Sequence, residues 1–113
     1  MNDKIKVFIS QPMGDKTNYE ILKEREAAIK TIKKKYGKDV EIIESYAPLF
    51  CLEYNPDKGC IPLKYLSKSI EQLADAHIAY FCKGWDEYRG CRIEYLCAKS
   101  YDITIMKYND NEI

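Results

Sequence analysis

Apolar and polar positions divide this chain into segments of two different periods. Residues 4–10, Lys4-Ile5-Lys6-Val7-Phe8-Ile9-Ser10, and residues 76–81, Ala76-His77-Ile78-Ala79-Tyr80-Phe81, are rich in β-branched and aromatic side chains and become apolar at successive positions. Such a run predicts a strand covered on both faces by helices, because a strand with one wet face would alternate. Between them, residues 18–36 place Leu22, Ala28, Ile29, Ile32 and Tyr36 near helical spacing, with Glu20, Lys23, Glu24, Glu26 and Lys30 around the rest of the cylinder. Thr17 or Asn18 can cap the first free amides of that helix, and Lys33-Lys34-Lys35 before Gly37 suits its negative end and a left-handed stop. The lysine run is therefore read as a helix terminus, not as a nucleic-acid patch. Residues 39–44 alternate like an exposed edge strand, and residues 45–62 form an irregular stretch too long for an ordinary strand-to-helix link. Leu63, Leu66, Ile70 and Leu73 then mark a second helix over 62–74, with a proline in its first turn. A third helix over 91–100 carries Ile93, Leu96, Cys97 and Ala98 on roughly one face, and residues 102–106 supply a last strand.

Strands that alternate with helices through mostly short links predict an α/β fold: a doubly wound three-layer sandwich around a mainly parallel sheet of four or five strands. The small size favours a flavodoxin-like, Rossmann-like strand order of about 2-1-3-4, whose ligands bind at the carboxyl ends of strands one and three. At 113 residues the chain reads as a single domain over 1–113. Eighteen basic and eighteen acidic residues cancel, which removes the electrostatic case for a nucleic-acid polymer or an anionic membrane as partner. No apolar run is long enough to span a bilayer, and Met1-Asn2-Asp3-Lys4 lacks the apolar core of a signal peptide, so the expected location is the cytoplasm. The five cysteines (Cys51, Cys60, Cys82, Cys91, Cys97) contain no Cys-x-x-Cys pair and read as reduced thiols, although Cys51 and Cys60 flank a loop and can in principle pair.

The two loops at the expected binding edge are the most unusual. The first, Ser10-Gln11-Pro12-Met13-Gly14, runs into a helix N-terminus and is either an anion or sugar cradle or a plain turn. It matches neither the phosphate-loop nor the dinucleotide glycine pattern. The second holds Gly84-Trp85 and Tyr88-Arg89-Gly90, with Glu94 about one helical turn further on. In the first turn of a helix, Glu94 would be kept ionised by the dipole and serve as nucleophile or acceptor; otherwise it is a solvated partner of Arg89 or Arg92. Trp85 can stack on a base or plug a subunit contact, and His77 reads as a structural histidine more readily than as a base. Ten tyrosines, Tyr46, Tyr54, Tyr65 and Tyr95 among them, suit a surface where subunits meet.

Together, residues 7–14, Ala74-Asp75-Ala76, Phe81-Cys82-Lys83-Gly84-Trp85 and residues 89–98 resemble the small proteins of the nucleoside 2-deoxyribosyltransferase superfamily, in order along the whole chain. The nearest branch is the DUF4406-type group of bacteria and their phages. The resemblance implies that Glu94 attacks the anomeric carbon of a nucleoside or nucleotide and expels the base, with water or a second base as acceptor. It implies that Asp75 orients the sugar or handles protons, and that Ser10, Gln11, Pro12, Met13, Gly14, Gly84, Trp85, Arg89 and Gly90 shape the substrate pocket. It also implies a homo-oligomer, dimer or larger, with no cofactor and no metal. Six residues before the glutamate, where the family carries an aspartate, this chain has Tyr88, whose hydroxyl is a poor proton shuttle at neutral pH. Asp86 or Glu87 are the substitutes. Arg89 replaces a small residue and its planar fork suits a phosphate, which favours a nucleotide over a bare nucleoside. A non-catalytic module that binds a nucleotide or nucleotide-derived signal is the alternative on the same fold, and a structural oligomer with a vestigial cleft is a third.

Overall fold

The computed structural model describes residues 4–43 and 59–108. Among them four strands and three helices alternate: β1 (Ile5–Ser10), α1 (Asn18–Tyr36), β2 (Val40–Ile42), α2 (Ile61–Leu73), β3 (Ile78–Phe81), α3 (Arg89–Ser100) and β4 (Thr104–Lys107). A single 3₁₀ turn at Trp85–Glu87 precedes α3. The strands form one all-parallel sheet in the order β2-β1-β3-β4, so the expected α/β flavodoxin-like order holds. The central pair runs in register from Val7 opposite Ile78 to Ser10 opposite Phe81. Residues 44–58, which hold most of the irregular stretch and Cys51 of the weighed pairing, lie outside the described residues. Cys60, Cys82, Cys91 and Cys97 are free thiols.

Because the strand order turns back at β1, right-handed crossovers send α1 to one face and α2 and α3 to the other. The strand pleat then sorts the core. Val7, Ile9, Ile78, Tyr80 and Cys82 pack with Ala28 and Ile32 of α1, while Phe8, Ala79 and Phe81 pack with Leu73 of α2 and Ala98 of α3. Every residue of β3 is buried, as its unbroken apolar run predicted.

The helices are rotated from what apolar spacing alone suggests. On α1 the buried stripe is Ile21, Arg25, Ala28 and Ile32, and Leu22 is left exposed. The buried Arg25 donates from Nη2 to the Ile43 carbonyl at 3.0 Å, which anchors a charged head inside an otherwise apolar face through a backbone acceptor. On α3 the expected inward residues Ile93 and Leu96 face solvent, and Cys91, Glu94 and Ala98 are buried instead. That helix also begins two residues earlier than its spacing predicted. His77 takes the structural alternative: its N–H donates to the Lys6 carbonyl and its Nδ1 accepts the Lys6 N–H, both at 2.9 Å, extending the β1–β3 ladder at the amino end of the sheet. No helix among the described residues is long and apolar enough to cross a membrane.

Candidate functional site

A cleft of about 530 Å³ opens at the carboxyl edge of β1, between the loop after that strand and the helices α2 and α3. Parallel strands of this order leave a crevice where the chain departs in opposite directions from neighbouring strands, here β1 and β3. Its walls are largely apolar, with Pro12, Met13, Leu66 and Ile93 among them, and the one acid lining it among the described residues is Glu94.

Glu94 reaches the cleft because α3 turns it inward. It is 7% exposed, and Ser10, the last residue of β1, donates from Oγ to Glu94 Oε1 at 2.6 Å. Burial pushes the carboxyl from its ordinary value near 4.5 up to about 7, against the opposing pull of the Ser10 hydrogen bond. The alternative of a solvated ion pair is excluded: Glu94 pairs with neither arginine, since Arg92 donates from Nη1 to the Asp86 carbonyl at 3.1 Å and Arg89 is exposed at the cleft rim. Because α3 begins at Arg89, Glu94 lies beyond its first turn, where the helix dipole contributes little, and burial dominates its ionisation.

The first loop supplies Gln11, Pro12, Met13 and Gly14 to the cleft, as expected. Gln11 is buried; its Nε2 donates to the Ile21 carbonyl at the start of α1, and its Oε1 has no hydrogen-bond partner among the described residues. The helix end that this loop precedes is already capped by its own residues. Thr17 accepts the Glu20 N–H and the Glu20 carboxylate accepts the Thr17 N–H, so α1 already carries an acid over its free amides. The Glu20 carboxyl is held below its usual value by those bonds to Thr17. By contrast α3 has no side-chain cap and no acid in its first turn, and its Arg89, Gly90 and Cys91 line the cleft.

Tyr88, the N-cap residue of α3, joins the two loops. Its hydroxyl donates to the Gly14 carbonyl at 3.3 Å, and its ring lies so close that a Cβ on Gly14 would stand 3.2 Å from Cε2. A side chain at Gly14 would therefore have to displace the Tyr88 ring by a few tenths of an ångström, while the backbone conformation there does not require glycine. Cys91, which sequence reading passed over as a small hydrophobe, also lines the cleft; burial pushes its thiol up to about 11, with the Ser10 hydroxyl pulling the other way and the Glu94 charge adding to the rise. Burial holds the Cys82 thiol higher still, at about 12. Both are protonated and unreactive near neutral pH. The α2 side of the cleft, with Tyr65, Leu66 and Ser69, was also missed, because its face is defined only once α2 packs over the sheet.

Three expected site residues stand elsewhere. Asp75 is exposed in the turn before β3, at the amino end of the sheet and so opposite the cleft. Trp85 stacks on Tyr95 with ring centroids 4.3 Å apart and lies 5.4 Å from Phe81, so its indole is already used in the core on the α3 side. Gly84 sits beside it in the left-handed region at φ 83°, which a turn into the 3₁₀ segment requires, and does not line the cleft.

Against this geometry, comparison with family models, curated proteins and solved structures finds no match.

Proposed function

We propose that the protein cleaves the N-glycosidic bond of a nucleoside or nucleotide, with Glu94 as nucleophile and water or a second base as acceptor. The observation that carries this reading is a buried carboxylate, the one acid lining an apolar cleft among the described residues, at the carboxyl edge of the sheet and held through one oxygen by Ser10. Glu94 Oε2 bonds to the anomeric carbon as the carbon–nitrogen bond breaks. The bonding pair leaves on the base nitrogen, which takes a proton from solvent, and water then hydrolyses the glycosyl ester and restores the carboxylate. A cleft that excludes water strengthens the attraction between the carboxylate and the cationic sugar of the transition state. The uncapped end of α3 and Arg89 at the rim supply donors for a phosphate, which favours a nucleotide.

Incubation with a mixed pool of nucleosides, deoxynucleosides, their monophosphates and NAD, read by mass spectrometry, is expected to yield free base from the parent and none from Glu94→Ala. Attack needs the ionised carboxylate, so kcat/KM is expected to rise with pH and level off above about 7. Loss of base from no member of the pool would sink the glycosidic reading.

A binding module is the second reading, and one observation favours it. Tyr88 stands where the resembled family carries an aspartate, and its hydroxyl is spent on the Gly14 carbonyl, so among the described residues the cleft has no second acid to protonate a leaving base. Ligand-dependent rise in Tm without base release would select it. A homo-oligomer belongs to either reading; the exposed Leu63, Ile93 and Leu96 on α2 and α3 support it, and light scattering after gel filtration tests it.

A further inference from the structure

Ser10 was expected to touch substrate, yet it is 1% exposed and does not line the cleft. Its side chain is directed at Glu94, on an element 84 residues away in sequence. We infer that Ser10 is a positioning residue: it holds Glu94 Oε1 inside the protein and leaves Oε2 as the oxygen that meets the substrate. As a step in catalysis this rests on the glycosidic reading above; as a statement about the carboxyl group it does not.

The geometry supplies a donor in one direction only. A serine hydroxyl has a single proton to give, and at 2.6 Å it goes to Glu94. Cys91 lies one turn before Glu94 among the buried residues of α3. Backbone rigidity supports the Ser10–Glu94 bond from behind. Ser10 is paired with Phe81 in the central strands, and its carbonyl accepts the Cys82 N–H at 3.0 Å. A hydroxyl fixed on a buried strand holds the carboxylate of a neighbouring helix more closely than a loop residue can.

The hydrogen bond favours the charged form of Glu94, so its removal is expected to raise the titration of that group. Among the described residues the other titratable or charged side chains around the cleft are Tyr65 of α2, Cys60 before it, and Tyr88, Arg89 and Cys91 at the start of α3; of these only Cys91 has its own ionisation linked to Ser10, and its thiol, held up near 11, does not titrate over the range in which Glu94 does. The carboxyl resonance of Glu94, assigned by its disappearance in Glu94→Gln, is followed by 13C NMR against pH in the full chain. Ser10→Ala is expected to move its midpoint up by about one pH unit, and Ser10→Thr to restore it. Should alanine unsettle the fold, Ser10→Val against Ser10→Thr gives the same comparison between isosteric side chains, one without the hydroxyl. In activity, Ser10→Ala is expected to lower kcat by about tenfold or more, leave KM within about twofold, and shift the acid limb of the pH profile upward with the NMR midpoint.

An unchanged midpoint in the variants lacking the hydroxyl would overturn the positioning role, whatever the activity. A raised midpoint in a protein that releases no base would uphold the Ser10–Glu94 arrangement and remove the glycosidic reading instead.

Discussion

Glu94 shows how a single side chain is decided by competing terms of different size. The helix dipole favours a carboxylate by less than about 1 kcal/mol at a wet N-terminus, and Glu94 lies beyond the first turn of α3, where the effect has faded. Burial at 7% exposure acts the other way, and the carboxyl rises from 4.5 to about 7 because desolvation dominates. A raised pKa in the folded state means that the fold holds this proton more tightly than the unfolded chain does. The associated stability is present below about pH 4.5, declines as pH rises, and is gone above about 7. Glu94→Gln carries no such charge, so it is expected to match the parent at low pH and exceed it by on the order of 3 kcal/mol above pH 8. Urea unfolding of both proteins between pH 4 and 9 measures this; parallel curves would contradict the burial. On the glycosidic proposal the same substitution is expected to abolish base release.

Between elements, the cleft is shaped by how helix ends are closed. The capping box at Thr17 and Glu20 seals α1 with its own acid, and the Lys16–Glu24 ion pair at 2.8 Å braces the incoming loop. The start of α3 has no such closure and is tied to the first loop through Tyr88 and Gly14. Since Gly14 has no positive φ, only the space beside the Tyr88 ring opposes a side chain there. Gly14→Ala is expected to displace the ring, weaken the hydroxyl-to-carbonyl bond and cost about 1 kcal/mol, with most of that cost absent in the Tyr88→Ala background. A double-mutant cycle by thermal or urea unfolding measures the coupling. Additive effects would mean that the ring and the glycine do not constrain each other.

At the scale of the whole molecule, a parallel sheet gives the two ends of its strands different chemistry. All three helices begin at the carboxyl edge, so free amides gather there, and the amino edge collects helix ends and turns. Asp75 and His77 belong to the amino edge, where His77 completes the strand ladder. Asp75→Asn is therefore expected to leave base release and its pH profile unchanged, in contrast to Glu94→Gln. A loss comparable to that of Glu94→Gln would show that Asp75 reaches the reaction after all.

The alternation of periods in the sequence was enough for the element order, the parallel sheet and the 2-1-3-4 arrangement, because each depends on local burial, connection length and the hand of crossovers. Gln11 to Gly14, Tyr88, Arg89, Gly90 and Glu94, singled out from the sequence, line the cleft. Periodicity misled where a polar residue occupies an inward position. Arg25 and Glu94 break the apolar stripes of α1 and α3, so the spacing pointed to Leu22 and Ile93, which face solvent. Asp75 and Trp85 had the right residue types but the wrong place, one at the opposite end of the sheet and the other packed on Tyr95. Tertiary structure alone decided the depth of Glu94, its bond to Ser10 and the Tyr88–Gly14 contact. Those arise from packing one helix face against strands far away in sequence, and periodicity carries no record of such partners.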